Sequence, residues 1–492
     1  MNNNRSFAIL LSIPLFLLLE GCKKLVTVDP PIASITTTEV FSTDAQATSA
    51  MAGIYTSMLN GTSNQSNNPL NGFASGLSTI VGAYSSDELS IYRGSTVFNT
   101  NKLTPITAFY SSTMWSSAYK AVYNSNAVIE GIAASTSGAL HDSIRAELTA
   151  EAKFTRAFSY LYLVSNFGGV PLVLTIDFNK TQNLPRSSQQ DVYKQIIQDL
   201  KDAQAVLPVD YRYAAGGERI VPNKWAATAL LARVYLYTGD FANAAAQAAA
   251  VISNTAQFGL VSDLNSAFLR NSKEAIWQMQ QYTSFVGLYT ATPEGSLMIA
   301  QPFPHSSNPA ELMTPSLLNS FEPGDKRRVA WVDSTTVTTG NIGTYYYPLK
   351  YKVGIYNRGT TLGAVPSEYY MVLRLAEQYL IRAEAEMNGA NGGASAAIAD
   401  LNVIRNRAGL PPLPGSLNAA QLLAAVAHER QDELFCEWGH RWYDLRRMGL
   451  AHDVLSNIDY KQPWQGDYQF LYPIPPTEIV DDHFLIQNPG YN

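Results

Sequence analysis

Apolar residues between positions 222 and 253, PNKWAATALLARVYLYTGDFANAAAQAAAVIS, recur at the period of a helix rather than in alternation. Leu230, Leu231, Val234 and Leu236, with Tyr235 and Tyr237, make a broad apolar face among good helix formers. Pro222 suits a first helical turn and Asn223 lies beside it, so the pattern leaves the cap open between them. Gly239-Asp240 breaks the run, and the helix that follows is almost all alanine, small enough to approach its partner closely. The same periodicity predicts helices over 44–59, 115–132, 144–167 and 187–207, the third closed by Gly168-Gly169-Val170-Pro171. It returns over 368–389, 394–410 and 417–439. Residues 256–366 lack a sustained period and are dense in Thr, Gly, Pro and Tyr. They are too many for a simple loop, so short strands and small helices are expected there, with 274–279 and 345–351 the best strand candidates. Residues 84–106 and the tail from 458 read as irregular.

Large residues on one helix facing small ones on the next is the design of a tetratricopeptide hairpin. Leu231, Ala232, Tyr235, Gly239, Phe241 and Ala244 fall where that repeat wants large, small, aromatic, turn, aromatic and small. One hairpin cannot bury its own apolar face, so others are expected. Degenerate echoes occur at Met51-Ala52-x-x-Tyr55, Arg156-Ala157-x-x-Tyr160 and Arg382-Ala383-x-x-Glu386, at irregular intervals. Ala-x-x-Tyr alone is common in helices. The weight lies in the Gly-rich turn and further helical segment after three of the copies. Helical hairpins with long insertions are therefore predicted.

Composition narrows the function classes. With 492 residues, 46% apolar and only 15% charged, the chain can bury a sizeable core behind an uncharged polar surface. Net charge is −6 with no long basic run, which argues against nucleic acid as a partner, because phosphate neutralisation needs clustered Lys and Arg. The 28 tyrosines offer rigid faces with a hydroxyl, useful in binding and ordinary in large folds. The two cysteines, Cys22 and Cys436, allow one disulfide at most.

Arg5 followed by FAILLSIPLFLLL is a positive end plus an apolar run of signal-peptide length. The run closes in Leu18-Leu19-Glu20-Gly21-Cys22, which resembles a bacterial lipobox with an imperfect residue at Glu20. The resemblance implies removal of residues 1–21 and lipidation, with palmitate among the acyl chains, at Cys22. Residues 22–37, with Pro30-Pro31 and a Ser/Thr cluster, would then be an extended tether.

Several segments together resemble the SusD/RagB-like family of outer-membrane nutrient-binding lipoproteins. They are His428-Glu429-Arg430-Gln431-Asp432-Glu433-Leu434, the run from Glu437 to Arg447, Tyr472-Pro473-Ile474-Pro475 and Gln487-Asn488-Pro489-Gly490-Tyr491. Arg382-Ala383-Glu384-Ala385, Asn402-x-x-Arg405-x-Arg407-Ala408-Gly409 and Arg156-Ala157-Phe158-x-Tyr160 through Gly169-Val170-Pro171 extend the likeness over nearly the whole chain. It implies a mainly α protein, with a tetratricopeptide-like scaffold carrying an irregular, loop-rich ligand-binding half that contains short strands. Residues 38–260 would be the N-terminal helical-repeat part and 261–492 the C-terminal part, irregular over 261–366 and helical over 367–456. The family further implies capture of oligosaccharides, or in some members peptides, at the outer membrane. A SusC-type TonB-dependent transporter would be the partner. An adaptor that binds only protein is the reading from another class.

The residues themselves point to binding rather than catalysis. Glu429, Glu433 and Glu437 recur at helical spacing beside Arg430 and Arg441, a pattern that favours an ion-pair network over the paired carboxylates of glycoside hydrolysis. Trp438, Trp442 and Asp444 read as packing and capping. The six histidines and Cys436 show no metal-ligand spacing, and no phosphate loop, dinucleotide fingerprint or G-x-S-x-G occurs, so no cofactor and no enzyme activity are expected. Sugar rings are held by stacking on aromatic faces while Asn, Asp, Arg or Gln meet the hydroxyls. Loop segments with that mixture give the candidates Tyr92, Arg93, Phe98 and Asn99, then Tyr282, Phe285 and Tyr289, then Tyr345.

Overall fold

The computed structural model describes residues 37–60, 69–92, 94–212, 214–281, 290–300, 311–338, 341–359, 361 and 363–491. Its longer elements are α1 (Asp44–Asn60), α2 (Ser78–Ser85), β1 (Leu89–Ile91), α3 (Phe109–Ala134), α4 (Asp142–Phe167), α5 (Gln189–Val206), α6 (Lys224–Tyr237) and α7 (Phe241–Ser253). They continue as β2 (Ala275–Met279), β3 (Glu311–Met313), β4 (Val332–Val337), β5 (Gly343–Pro348) and β6 (Tyr370–Arg374). The helices α8 (Leu375–Met387), α9 (Gly393–Ala408), α10 (Ala419–Leu434) and α11 (His440–Arg447) follow.

The α6–α7 hairpin forms as its pattern predicts. Asn223 is the cap, its side chain accepting from the backbone N–H groups of Trp225 and Ala226, and Pro222 lies outside the helix. Gly239 turns the chain at φ +76°, a conformation open to glycine without strain. Ala226 through Leu236 are buried, and α7 offers Ala244, Ala248 and Val251 to its neighbours. Helices then pack in succession, α3 on α4, α4 on α5, α5 on α6, α6 on α7, α7 on α8 and α8 on α9. The scaffold is therefore mainly α-helical and stacked, with each apolar stripe covered by the next helix.

Arginines bridge the stack. Arg156 of α4 makes two hydrogen bonds to Asp199 of α5 at 2.8 and 2.7 Å and a third to Asn126 of α3 at 2.8 Å. Arg233 of α6 binds Glu377 of α8 at 2.6 and 2.7 Å, and Arg382 of α8 binds Asp400 of α9 at 2.7 Å twice. Paired N–H donors on a planar guanidinium fix orientation as well as charge. Tyr160 donates to the carbonyl of Val173 at 3.0 Å and accepts from its N–H at 2.6 Å, holding the segment after α4. Gly169 is required there, because a Cβ would lie 2.3 Å from the Ser187 carbonyl. Of the echoed alanines, Ala157, Ala232 and Ala383 are buried, whereas Ala52 of α1 is exposed.

The 368–389 segment differs from its expected helix. Its first part is β6, antiparallel to β2 with Leu373 opposite Trp277, before α8 begins at Leu375. Tyr-Met-Val-Leu is apolar at every position, so a buried strand and a buried helix leave the same trace, and pairing with β2 decides. The irregular 84–106 stretch likewise contains β1, paired antiparallel with β3. The strand expected at 274–279 is β2, and that expected at 345–351 is β5, beginning at Gly343 and paired with β4.

The Glu429–Glu437 cluster is an ion-pair network, with partners other than the two neighbours expected. Arg327 reaches Glu429 at 2.6 Å and Glu433 at 3.2 Å; Arg374 reaches Glu433 at 2.6 Å and Glu437 at 2.8 Å; Arg407 also binds Glu433. Burial alone would raise the Glu433 carboxyl, but these three guanidinium groups hold it well below the usual carboxylate range. Arg430 instead pairs with Asp444 at 2.7 Å, and Arg441 with Asp87 at 2.7 Å. Asp444 is thus an ion-pair member, not a cap. Trp438 stacks on Tyr370 at 4.7 Å, and Trp442 lies parallel to Tyr472 at 6.1 Å.

The tail is fastened rather than loose. Gln487 both accepts from and donates to the backbone of Ile474 at 2.8 Å, and Asn488 donates to the carbonyls of Phe167 at 3.0 Å and Tyr472 at 2.8 Å. Tyr491 donates to the Leu471 carbonyl at 2.9 Å. Among the described residues no helix is long and apolar enough to cross a membrane.

Candidate functional site

Two short strand pairs, β1–β3 and β4–β5, meet through β3 and β5, and two tyrosines come together there. In the β4–β5 ribbon Thr335 pairs with Tyr345, Ser334 with Tyr346 and Asp333 with Tyr347. Successive side chains on a strand face opposite ways. Tyr345 and Tyr347 therefore share one face and Tyr346 takes the other. Tyr346 lies under the Arg328 guanidinium at 4.7 Å, and Tyr347 donates to Asp333 at 3.0 Å. Tyr345 goes to neither; its ring meets that of Tyr92 edge-to-face, with centroids 4.9 Å apart and planes at 88°.

Tyr92 follows directly on β1, which β3 pairs with, and β3 packs on β5. Both hydroxyls donate to one acceptor, the Asn341 carbonyl, at 3.2 Å from Tyr92 and 3.1 Å from Tyr345. Both rings are half-buried; of the polar residues beside them Asn341 and Asp333 are exposed and Thr335, the cross-strand partner of Tyr345, is half-buried. An aromatic corner with amides, hydroxyls and a carboxylate at its edge can hold an apolar ring face and bond the polar rim of the same ligand.

Beneath the corner the support is buried and unusual in charge. Glu311, opposite Ile91 in the β1–β3 register, accepts from the Tyr84 hydroxyl, and burial pushes its carboxyl up to about 7. Glu88, just before β1, accepts the Cys436 N–H; burial, then the neighbouring Asp87 charge, push it up to about 8. Burial also raises Glu294 to about 8, beside the Thr79 and Tyr370 hydroxyls. These groups fix strands and are covered by protein, so they belong to the frame of the site.

The other candidates part company. Phe98 is core, edge-to-face with Tyr472 at 5.3 Å, and Asn99 is buried, its side chain accepting from Thr96 N–H and its carbonyl from the Lys461 ammonium at 2.9 Å. Neither faces solvent, because the tail packs over both. Arg93, Tyr282, Phe285, Tyr289 and the lipidation residue Cys22 lie outside the described residues. Asn341, Asp333 and Thr335 were not singled out from sequence, although the Thr-Tyr-Tyr-Tyr run of β5 marks the ribbon they belong to or adjoin. Among the described residues no group of His, Cys, Asp and Glu is arranged to hold a metal ion.

Comparison with known proteins agrees with this architecture. Residues 320–491 match the SusD family, and residues 35–236 match a family described as starch-binding and associating with the outer membrane. The chain is 29% identical over 418 residues to SusD-like protein P2 of Formosa agariphila, covering 77% of this chain and 80% of that one. Among solved structures, a SusD-like protein of Bacteroides fragilis superposes with a TM-score of 0.75 at 22% identity, over 94% of this chain and all of the other. A laminarin-binding SusD-like protein gives 0.70 at 25% identity, over 92% of this chain and all of the other.

Proposed function

The chain belongs to the SusD/RagB family, and from that premise we propose that it is an outer-membrane lipoprotein that binds nutrient oligosaccharides without turning them over. The observation that carries this reading is the half-exposed Tyr92–Tyr345 corner, edged by Asn341, Asp333 and Thr335. Support also comes from the outer-membrane, starch-binding description of the family matched over residues 35–236 and from the laminarin-binding relative in fold. Lipidation at Cys22 anchors the chain to the outer membrane, and residues 22–37 give it reach. A SusC-type TonB-dependent transporter receives the ligand. Binding without turnover is supported by the state of the clustered carboxylates, since Glu429, Glu433 and Glu437 are each held by buried cations and none is free to act as a general acid.

Titration calorimetry of the chain from residue 23 against oligosaccharides and short peptides tests the reading. One glycan class gives saturable heat with no product formed, and Tyr345→Ala weakens that binding by about 2 kcal/mol, roughly thirtyfold, as loss of a buried aromatic anchor does. Saturable heat with peptides alone would replace oligosaccharide by peptide as ligand. Unchanged affinity in the Tyr345→Ala variant would move the site elsewhere.

A further inference from the structure

The segment that leaves α4 and a short helix near the end of the chain (Pro476–Asp481) lean over α3 and enclose a concavity of about 430 Å³, within the ~300–1,000 Å³ range of small-ligand sites. It shares no residue with the Tyr92–Tyr345 corner. Its floor is aromatic: buried Trp115 and half-buried Tyr119, one turn apart on α3, have ring centroids 4.9 Å apart. Phe178 lines the same space and is 69% exposed, a ring left in water at a cost in free energy.

The two lips are fastened to the floor and to each other. Tyr119 donates to the Pro171 carbonyl at 2.9 Å, and Asp177 caps the turn Phe178–Thr181, accepting from the Asn179 N–H at 3.1 Å. Arg186 spans the lips: it donates to the carbonyls of Gly169 at 2.7 Å and Phe167 at 3.0 Å on one side. On the other it donates to the Ile486 carbonyl at 2.9 Å and the Asn488 side-chain oxygen at 2.7 Å. Walls bonded to each other stand ready before a ligand arrives, so little ordering entropy is lost on binding.

The polar groups complete the chemistry. The first lip contributes Thr181 and the exposed amides Gln182 and Asn183, and the tail contributes Glu478, Asp481 and Asp482. Among the described residues no Lys, Arg or His lines the pocket; Lys180 turns to Asp177 at 3.4 Å. Carboxylates open to water add little to the hold on a cation. Carboxylate and amide oxygens that accept from neighbouring hydroxyls fix a ring whose C–H face rests on an aromatic one.

We propose that this pocket is a separate site for one or two rings of a neutral sugar and that it rejects acidic sugars; the ligand class rests on the reading of the chain as an oligosaccharide binder. The ring stacks on Phe178, and its hydroxyls meet the amides of the first lip and the carboxylates of the tail. A uronate or sulfate would bring its charge beside three carboxyl groups with no cation in the lining to offset it.

The test uses the chain from residue 23, which retains every described residue, carrying Tyr345→Ala so that the corner is weakened. It is titrated calorimetrically at neutral pH with cellobiose, maltose and lactose, and with digalacturonate. Expected is saturable heat from at least one neutral disaccharide, with digalacturonate at least about tenfold weaker. Adding Phe178→Ala, at an exposed position where the fold does not depend on the ring, weakens the neutral disaccharide about tenfold. Asp481→Asn narrows the gap between neutral and acidic ligands. No neutral disaccharide bound, digalacturonate bound equally well, or no effect of Phe178→Ala would overturn the proposal. Loss of all binding in the Tyr345→Ala background, with oligosaccharide still held by the unsubstituted chain, overturns the pocket and leaves the corner standing. Oligosaccharide affinity untouched by Tyr345→Ala but lost with Phe178→Ala overturns the corner and leaves the pocket.

Discussion

Two hairpins in this molecule are built to opposite ends. In α6–α7 the facing residues are leucine and alanine, every side chain from Ala226 to Leu236 is buried, and the turn is a bare Gly239-Asp240. In β4–β5 the facing residues are threonine, serine and tyrosine, and the ribbon leaves half of its pairs in contact with water. The first helix of the α6–α7 hairpin is covered by its neighbours almost throughout, and the second meets them through Ala244, Ala248 and Val251. The β4–β5 ribbon is poorly covered and is stabilised by bonds at its ends, Tyr347 to Asp333 and the hydroxyls of Tyr92 and Tyr345 to Asn341. On the proposed reading, stability and recognition are thus carried by different elements, joined through the buried charges around Arg374.

Cutting that joint has the largest expected effect. Arg374→Ala takes one of three guanidinium groups from Glu433, leaves Glu437 to Lys350 alone, and destabilises the protein by roughly 3–5 kcal/mol in chemical denaturation. In the protein that remains folded, oligosaccharide affinity holds. Next comes pH. Glu88 and Glu294 sit at about 8 and Glu311 at about 7 in the folded protein, all above the 4.5 of the open chain. A raised carboxyl contributes stability that is complete below about pH 4.5 and lost as pH rises through its folded value. Thermal unfolding should therefore move to lower temperature between about pH 5 and 9, and Glu294→Gln should flatten that slope, by roughly 1–3 kcal/mol over the window. Acid acts the other way on Glu433, whose depressed carboxyl stabilises above the usual range and loses that only as pH falls well below it.

Smaller changes separate the two hairpins. Ala248→Leu overfills the contact of α7 with its neighbours and costs about 1–3 kcal/mol by denaturant midpoint. Asn223→Ala removes the cap of α6 and costs about 1 kcal/mol. Either substitution changing oligosaccharide affinity in the folded state would break the division between the hairpins, since neither residue approaches the tyrosine corner in the stack.

Much of the helical half could be read from the chain because its information is local. The 222–253 pattern specifies both helices and the turn, and only the cap needed coordinates, since Pro222 and Asn223 offer competing starts that one pair of side-chain bonds resolves. Residues 370–374 were not legible, because a strand buried on both faces has no alternation to display. The arginine partners of Glu433 come from positions 327, 374 and 407, three separate elements, and adjacency in sequence suggested Arg430 and Arg441 instead. At the candidate site Tyr345 follows from a tyrosine-rich strand. Phe98 and Asn99 have the same residue chemistry but are covered by a tail that lies hundreds of residues further on. Residue type states what a side chain can contact; only the fold states what covers it.

The bond from Asn488 to the carbonyl of Phe167 joins residues 321 apart. Phe167 ends α4 and its carbonyl accepts from Arg186 and from Asn488, both at 3.0 Å, so in a chain made N-terminus first the second of these bonds forms only after residue 488 is added. The nascent protein carries an open seam between its first helices and its missing tail for nearly the whole of translation.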